Sequence, residues 1–387
     1  MMYPHISIII LNWNGWRDTI ECLESVYQLD YPYYDVIVVD NGSKDESIQR
    51  IKEYCEGKIK VNSRFIKYNS INKPIKIFEV KDEDARKGKF KYSLYRKYEP
   101  NRRLILIKNR ENYGFSGGNN IGIKFALEVL DPDYILLLNN DTVVHRNFLK
   151  TAISIAKMNE KIGMISTKIL FYDNPRIINS VGTIIFKDGS AAHLGGRELD
   201  NGQYNRIFET FAPCAAAAFY RKEMLKEIGL FDEDLFLYME DVDLGWRARL
   251  MGWKCFYSPN SIVYHKHSVS SGKYSRFKLY YIERNRLLVL IKNYPIKYLI
   301  LFPIYNLHKY IVLLLSKSCN QDISNYNQLG ILPIFTTIAR AWIDAIRHTP
   351  KFILKRHQIM KQKRVNSTEI DKWFRKFSKS LFEVVCK

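Results

Sequence analysis

The most constraining feature of this 387-residue chain is an alternation of short apolar runs with segments of helical spacing. Runs rich in β-branched residues at 6–11 and 35–39 flank a segment, 19–29, in which apolar side chains recur every three to four residues. This order predicts a strand, a helix and a second strand parallel to the first. Because runs at 104–108 and 134–138 repeat the pattern, we predict an α/β domain with a mostly parallel central sheet.

The alternation also sets the predicted boundaries. Helices are expected at 45–54 and 119–130, and the main domain is predicted to span residues 1–272. Residues 69–103 interrupt the pattern with a polar stretch rich in lysine and tyrosine. We interpret this stretch as a surface insertion, which leaves acceptor binding and plain disorder open as its role.

Polar residues follow the first two predicted strands, at the sheet edge where ligands of such folds usually bind. Asp40 ends the second run and can accept hydrogen bonds from a nucleobase or ribose; the alternative is a cap on the next helix. Trp13, just after the first run, can stack on a base or belong to the core. Both residues are candidates for nucleotide binding.

A segment with three glycines and three asparagines, residues 112–120, precedes an apolar helical stretch. Gly114 and Gly117 would let the backbone approach a ligand closely, and amides at a helix N-terminus suit an anion. Asn120 and Asn140 are further candidates for contact with a donor. The alternative is a turn followed by a helix cap. The segment has neither the lysine of a P-loop nor the spacing of a dinucleotide fold, which argues against both.

The residues Asn139 and Asp141 follow the apolar run at 134–138. A carboxylate at a strand end suits a hard divalent cation that bridges to diphosphate oxygens. Asn139 stands where a second carboxylate is common in Asp-x-Asp metal motifs, and its amide carbonyl can still coordinate. We therefore predict a metal site that includes both residues.

The densest acidic cluster lies at 238–247, where Glu240, Asp241 and Asp243 occupy three of four consecutive positions. Like charges on either side raise the proton affinity of Asp241 toward the range of a general base, with Glu240 next in line. The alternative is structural: Asp243 caps a helix over 244–250 and pairs with two arginines of that helix.

In their order and spacing, these motifs resemble family 2 glycosyltransferases of the GT-A fold, over about residues 6–268. The resemblance implies an inverting transfer in which Asp241 deprotonates an acceptor hydroxyl. It also implies a Mg²⁺ or Mn²⁺ ion near Asp141, completed by His265, with His267 as a competitor for that role.

The motifs at 240–244 and 282–287 are most similar to rhamnosyltransferase-like enzymes of cell-surface polysaccharide assembly. This resemblance implies a hexosyltransferase that uses a dTDP- or UDP-sugar, with rhamnose as one candidate sugar. It does not identify the donor sugar.

The C-terminal region carries most of the net charge of +20, because 22 lysines and arginines but only 6 acidic residues follow residue 272. Residues 298–315 are apolar but interrupted, which falls short of a clean membrane span. Apolar residues at helical spacing from 335 to 353 precede a basic run at 355–364, as in helices that lie on anionic membrane surfaces. The alternative is a helical pair that packs on the catalytic domain or on a dimer partner.

We therefore expect residues 273–387 to associate with a membrane and the acceptor to be a lipid-linked or cell-surface glycan. Six cysteines without a Cys-x-x-Cys pair predict neither a disulfide framework nor a zinc site, which favours a reducing compartment. The expected location is the cytoplasmic face of the cell membrane.

Two other functions fit parts of the sequence. A basic tail can bind nucleic acid, but its charges alternate with apolar residues, so no nucleic-acid partner is expected. A sugar nucleotidyltransferase also needs a nucleotide pocket and a metal. It would normally show a glycine-rich, basic turn soon after the first strand, whereas residues 12–17 supply one glycine.

Overall fold

The structure is a computed structural model that describes residues 3–267, 275–316 and 330–386. Its strands are β1 Ile6–Asn12, β2 Tyr34–Asp40, β3 Lys76–Lys81, β4 Arg103–Lys108, β5 Tyr134–Asn139, β6 Thr142–Val144, β7 Ile162–Phe171, β8 Ile178–Ser180, β9 Thr183–Ile185, β10 Ala191–His193, β11 Phe208–Thr210, β12 Ala217–Arg221 and β13 Lys254–His265. Its helices are α1 Trp16–Val26, α2 Ser47–Cys55, α3 Asp82–Arg86, α4 Tyr92–Tyr95, α5 Gly114–Phe125, α6 Phe148–Ala156, α7 Lys222–Ile228, α8 Glu240–Leu250, α9 Arg276–Asn293, α10 Ile296–Ile300, α11 Phe302–Leu315, α12 Ile331–Gln362, α13 Ser367–Lys376 and α14 Leu381–Val385.

One mixed, mostly parallel sheet forms the centre of the molecule, in the order β11-β13-β7-β12-β5-β1-β2-β4-β3. In addition, β6 pairs with β13 and β8 with β7. β1 runs parallel to both its neighbours, with Asn12 opposite Asp40 and Leu11 opposite Asn139. The carboxyl ends of β1, β2 and β5 therefore meet at one edge. The predicted α/β fold of the GT-A type, with helices after it, is confirmed.

The sheet is buried on both faces, which explains why its central strands are continuous apolar runs. In β1, Ile8 and Ile10 join the core that contains Leu23 of α1. Ile9, which points the opposite way, joins the core that contains Ile121 of α5. Each fully buried isoleucine contributes roughly 1.5–3 kcal/mol relative to an exposed one.

The glycine-rich segment belongs to a helix rather than to a turn, because α5 already begins at Gly114. A Cβ on Gly118 would lie 2.6 Å from Leu11 Cδ1, and one on Gly122 would lie 2.8 Å from Ile9 Cγ2. These two glycines therefore let α5 pack closely on β1. The helix continues into a π-helical turn at residues 126–130.

Residues 69–103 contain more structure than the predicted surface insertion. Their strand β3 pairs in parallel with β4 at the edge of the sheet. Tyr95 is fully buried and donates a hydrogen bond of 2.7 Å to Asp35 Oδ1. β3 could not be predicted from the sequence, because an edge strand exposes charged side chains and its sequence therefore lacks a clear apolar period.

The C-terminal helices pack on the main domain. Trp246 of α8, Leu288 of α9 and Trp373 of α13 belong to one buried cluster. This packing corresponds to the alternative considered for the basic tail. No helix within the described residues is long and apolar enough to cross a membrane.

The cysteines form no disulfide framework within the described residues, but one of them is bonded. Cys22, Cys55, Cys214 and Cys255 are free and buried, whereas Cys386 is disulfide-bonded. The sequence pattern did not indicate this single bond at the C-terminal end. A disulfide depends on proximity in space, which the spacing of cysteines along the chain does not reveal.

Candidate active site

A chain of side-chain hydrogen bonds joins the ends of β2, β1 and β5. Asn12 Nδ2 donates to Asp40 Oδ1 at 2.7 Å, and Thr19 Oγ1 donates to Asn12 Oδ1 at 2.7 Å. Asn140 Nδ2 in turn donates to Thr19 Oγ1 at 3.1 Å. Four polar residues from distant parts of the sequence thus form one edge of the site.

Asp40 shapes the turn after β2 from a buried position. Its Oδ1 accepts a hydrogen bond of 2.6 Å from the Ser43 hydroxyl, and its Oδ2 accepts one of 3.1 Å from the Ser43 amide. It does not cap α2, which begins at Ser47. Trp13, beside Asn12 in the chain, is 41% exposed, so its ring is accessible to a ligand.

Asp141 and His265 lie together although they are far apart in the sequence. β6 pairs with β13 so that His265 is opposite Thr142, and His265 Nε2 is 3.2 Å from Asp141 Oδ1. The other ring nitrogen, Nδ1, is 3.0 Å from Asn179 Oδ1. Burial alone would raise the pKa of Asp141, but His265 outweighs it and the pKa of that carboxyl is lowered.

The Asp141 and His265 pair fits a divalent cation. In the neutral tautomer, whose Nδ1–H donates to Asn179 Oδ1, Nε2 of His265 has a lone pair and faces a carboxylate oxygen that is also an acceptor. A cation between them satisfies both groups, and an oriented imidazole with a carboxylate is a common ligand pair. Among the described residues there is no group of three or more His, Cys, Asp or Glu that could hold a metal. Other ligands of a bound cation would therefore be groups other than these four side chains, such as an amide or carbonyl oxygen, water or the donor diphosphate.

Asn139, the third predicted ligand, ends β5 and is half-buried. Its backbone carbonyl oxygen already accepts a hydrogen bond of 2.6 Å from Thr142 Oγ1. The Cys22 thiol donates to the same oxygen at 3.6 Å, so both of its lone pairs are used and a contribution to a metal site would come from the side-chain carbonyl.

Two alanines connect Asp241 with the end of β5. Ala216 O accepts a hydrogen bond of 2.9 Å from Asn139 N, and Ala215 N donates one of 3.2 Å to Asp241 Oδ2. Both alanines directly precede β12, a central strand that begins at Ala217. Adjacent residues of one segment thus bond to the Asp241 carboxylate and to the strand end that precedes Asp141.

The buried thiol of Cys214 lies close enough to acids of both motifs for their charges to change its pKa. Burial, together with the carboxylates of Asp241, Glu240 and Asp141, raises its pKa to about 12. Three acids from two separate motifs therefore act on one buried group.

Glu240 and Asp241 both have raised proton affinity. Burial raises the pKa of Asp241, although backbone N–H groups that donate to its carboxylate oppose this. Burial, with Asp241 close by, raises the pKa of Glu240 well above its ordinary value. Glu240 Oε2 is buried and has no hydrogen-bond partner in the described part of the chain. These surroundings favour a neutral Glu240 next to Asp241.

Asp243 has a structural environment instead. It is fully buried and pairs with Arg247 Nε at 2.9 Å and with Lys292 Nζ at 2.9 Å. Burial alone would raise the pKa of Asp243, but these two cations outweigh it and lower the pKa. Because α8 begins before Asp243, this residue does not cap the helix. Of the two predicted arginine partners, Arg249 pairs with Glu209 instead.

The acid loop, residues 235–239, precedes α8 and has a strained backbone. Three of its residues have φ between 62° and 70°: Phe236, Tyr238 and Met239. Such conformations are rare for residues with side chains and persist only where the surrounding structure enforces them. Asn285 of α9 provides that support, because its Nδ2 lies 2.8–2.9 Å from three backbone carbonyl oxygens of the loop. α9 thereby sets the position of the two acids that follow.

The residues of α5 that were predicted to bind a donor contact the protein itself. A Cβ on Gly114, where φ is 72°, would lie 2.4 Å from Phe236 Cδ2 of the acid loop. Asn120 donates to the Phe231 carbonyl at 2.9 Å and accepts from the Phe231 amide at 3.1 Å. A Cβ on Gly117 would also be crowded, by its neighbour in the preceding turn. These contacts support the segment that leads to the acids.

Sequence patterns did not reveal Asn179 or Asn285. Asn179 lies on β8 without a motif around it, and only the pairing of β8 with β7 brings it to the site. Asn285 falls within the motif at 282–287, but its role depends on the packing of α9 against the acid loop.

Comparison with known families agrees with this arrangement. A profile described as "Glycosyltransferase like family 2" matches residues 93–287, which is half of the chain. The chain belongs to glycosyltransferase family 2. A second profile, "Glycosyl transferase family 2", matches residues 7–73 of this family 2 protein. The first match includes Asp141, Asp241 and His265 and extends through most of α9.

Curated relatives are distant and longer. The chain is 26% identical over 149 residues to the "Low-salt glycan biosynthesis hexosyltransferase Agl10" of Haloferax volcanii, covering 38% of this chain and 46% of the relative. It is 22% identical over 259 residues to the "Poly-beta-1,6-N-acetyl-D-glucosamine synthase" of Staphylococcus epidermidis, covering 67% and 49%. The chain thus spans about half the length of the curated relatives it matches.

Solved structures give weaker likenesses. A mannosyltransferase from Pyrobaculum calidifontis in complex with GDP-Man and Mn²⁺ matches with a TM-score of 0.49 and 14% identity, covering 93% of this chain and 86% of its own. TarS 1-349 of S. aureus matches with a TM-score of 0.46 and 15% identity, covering 99% and 90%.

Proposed function

We propose that this family 2 protein transfers a sugar from a nucleoside diphosphate to a hydroxyl group, with inversion at the anomeric carbon. One observation carries the proposal. The hydrogen bonds through Ala215 and Ala216 bring Asp241 to the strand end that presents Asp141. A base and a site for the leaving diphosphate would then lie in one cleft, as a single displacement requires.

Asp241 is the proposed general base. As it takes the proton of the acceptor hydroxyl, that oxygen forms a bond to the anomeric carbon, and the bond from this carbon to the diphosphate oxygen breaks. Burial raises the pKa of Asp241, which brings the carboxylate closer to the basicity that proton removal needs. A neutral Glu240 would keep a second negative charge away from the acceptor oxygen.

Asp141 and His265 would hold Mg²⁺ or Mn²⁺, with Asn139 as the third candidate. When bound, the cation supplies positive charge for the departing diphosphate. The exposed ring of Trp13 would stack on the base, and Asp40 and Asn140 border the same edge. For the donor, we retain a dTDP- or UDP-sugar, with rhamnose as one candidate, from the motifs at 240–244 and 282–287.

A donor screen tests this function. The chain is incubated with Mn²⁺ or Mg²⁺ and a panel that includes dTDP-rhamnose, UDP-sugars and GDP-mannose, and released nucleoside diphosphate is measured. We expect release from at least one donor, with loss in Asp241→Asn and weaker metal-dependent donor binding in Asp141→Ala. Formation of nucleotide sugar and diphosphate from a nucleoside triphosphate and a sugar 1-phosphate would instead favour a nucleotidyltransferase.

We further propose that the protein works at an anionic membrane surface on a lipid-linked or cell-surface glycan. One stripe of α10 and α11 exposes apolar side chains at helical spacing, each at least 45% exposed: Ile300, Ile304, Leu307, Ile311 and Leu314. Basic residues of the C-terminal region surround this stripe in the sequence. Exposed apolar residues beside cationic ones suit the interface of an anionic bilayer.

Vesicle cosedimentation tests the membrane proposal. We expect binding to vesicles that contain phosphatidylglycerol and much weaker binding by Ile304→Ser/Leu307→Ser. Leu199→Ser, which removes an apolar residue that is 56% exposed on the main domain, is the matched control and should bind like the parent. Salt-sensitive DNA binding without vesicle binding would favour the nucleic-acid function instead.

A further inference from the structure

A groove with aromatic and cationic walls lies between α9 and α12, outside the residues discussed for donor and metal. It consists of two adjoining cavities of about 440 and 570 Å³ that share Tyr280 and Arg340. Phe277 and Tyr281 of α9 line one cavity, and Phe335 and Arg347 of α12 line the other. The groove thus combines apolar surface with guanidinium groups.

The charges of this groove favour an anionic ligand. Within the described residues, no acidic side chain forms an ion pair with Arg340 or Arg347. The acidic residue of the groove, Asp344, is already engaged by Arg284 Nε at 2.6 Å and by the Tyr280 hydroxyl at 2.7 Å. The Arg340 guanidinium lies over the Tyr280 ring, 5.6 Å from its centroid, and both arginines are exposed, so their N–H groups can bind a phosphate.

The groove borders the acid loop. Tyr281, on its wall, stacks on Phe236 with ring centroids 5.4 Å apart. Arg284, one turn further along α9, donates to the Asp234 carbonyl at 2.9 Å. A molecule held in the groove would therefore reach the segment that presents Asp241.

We propose that this groove binds the acceptor, and that the acceptor is a sugar carried on a phosphorylated hydrocarbon chain. Arg340 and Arg347 would bind the phosphate, while the rings of Tyr280, Tyr281 and Phe335 would contact the hydrocarbon. This inference rests on the proposed transfer function and adds the place and the chemical class of the acceptor. Phosphate and chain must both be present, because the arginines recognise the phosphate and the aromatic rings recognise the chain.

Binding of farnesyl diphosphate to the 387-residue chain, measured by calorimetry in EDTA, tests the groove without the metal-dependent donor site. We expect binding by the parent and by Asp141→Ala, and much weaker binding of farnesol and of inorganic diphosphate. Arg340→Met/Arg347→Met should bind farnesyl diphosphate at least about tenfold more weakly, since each charge-assisted hydrogen bond contributes about that factor. Phe335→Ser should also bind more weakly.

The matched control is Lys372→Met/Arg375→Met, which removes two positive charges from α13 outside the groove and should bind like the parent. Nucleoside diphosphate release from donor in water, without acceptor, should be equal in the parent and in this control. Unaltered binding in Arg340→Met/Arg347→Met, or no binding by the parent, would overturn the groove proposal. Absence of release from every donor would overturn the transfer function instead, so the two failures are distinguishable.

Discussion

Asn285 Nδ2 of α9 lies 2.8 Å from the carbonyl oxygen of Tyr238, in the loop that leads into the acids. The same amide reaches the carbonyls of Leu235 and Leu237. A fully buried side chain that is distant in sequence therefore holds a backbone with unfavourable dihedral angles. The position of Asp241 depends on this helix as much as on its own motif.

We expect Asn285→Ala to lower kcat by about 10²-fold, because a shift of the acid loop misplaces the base. It should also lower the free energy of unfolding by roughly 1–3 kcal/mol, since buried carbonyls lose their donor. Steady-state kinetics and urea unfolding measure both effects. Asn306→Ala is the control, because it removes the Asn306 Oδ1 acceptor of a 3.1 Å hydrogen bond from Arg286 that does not involve the acid loop. It should change stability but not kcat. An Asn285→Ala protein that is less stable but fully active would limit Asn285 to a structural role.

The contact between Asn179 and His265 predicts a change in metal requirement. Asn179→Ala removes the acceptor for Nδ1–H and leaves the ring free to reorient. The Mn²⁺ concentration for half-maximal activity should rise by about 10–100-fold, as for other groups that orient a ligand histidine. Asn179→Asp keeps an acceptor and should stay close to the parent. Identical metal titrations for parent and alanine variant would show that Asn179 does not orient His265 for metal binding.

Lys292 links two buried acids and predicts acid sensitivity. Its Nζ lies 2.6 Å from Asp232 Oδ2 and 2.9 Å from Asp243 Oδ1. Burial alone would raise the pKa of both acids, but Lys292 and neighbouring cations outweigh it, so the folded pKa of each lies below the ordinary value of an aspartate. At a pH between the folded and the unfolded pKa values, the unfolded chain thus binds more protons than the folded chain. The resulting stability is present above the unfolded pKa and is lost as the pH falls through the folded one.

The free energy of unfolding should therefore decrease progressively below about pH 5. Lys292→Met should cost about 3–5 kcal/mol at pH 7, because it leaves buried carboxylates without their shared cation, and should make the decrease at acid pH shallower. Urea unfolding at pH 7, 5 and 3 measures both. Lys297→Met, which breaks a half-exposed pair with Asp371, should cost less than about 1 kcal/mol. A decrease at acid pH as steep in Lys292→Met as in the parent would contradict this assignment.

The central strands were predictable because each is buried on both faces and therefore reads as a continuous apolar run. β1 was predicted at 6–11 and extends over Ile6–Asn12, and β5 was predicted at 134–138 and extends over Tyr134–Asn139. Since parallel strands end at one edge, the sequence also placed Asp40 and Asp141 on the same side of the sheet. The edge strand β3 was not predicted, because its exposed charged side chains interrupt the apolar alternation that indicates a strand.

The supporting residues were less predictable because they act across long separations. Asn179 contacts His265, and Asn285 contacts the acid loop, through strand and helix packing that no local pattern encodes. The glycines at 114–122 were informative about close approach, but the approaching partners are β1 and the acid loop of the protein itself. The glycine motif thus predicted that another group packs closely on α5, but it did not show whether that group is a ligand or another part of the protein.

The most direct test compares Asp241→Asn with Glu240→Gln. Nucleoside diphosphate release is measured with donor, metal and acceptor, and donor affinity is measured separately by calorimetry. Asp241→Asn should lose about 10²–10⁴-fold in transfer rate while its donor affinity stays close to that of the parent. Glu240→Gln, which replaces a neutral carboxyl with a neutral amide, should retain far more activity. Parent-like transfer by Asp241→Asn, together with its loss in Glu240→Gln, would contradict Asp241 as the base of a displacement at this sheet edge.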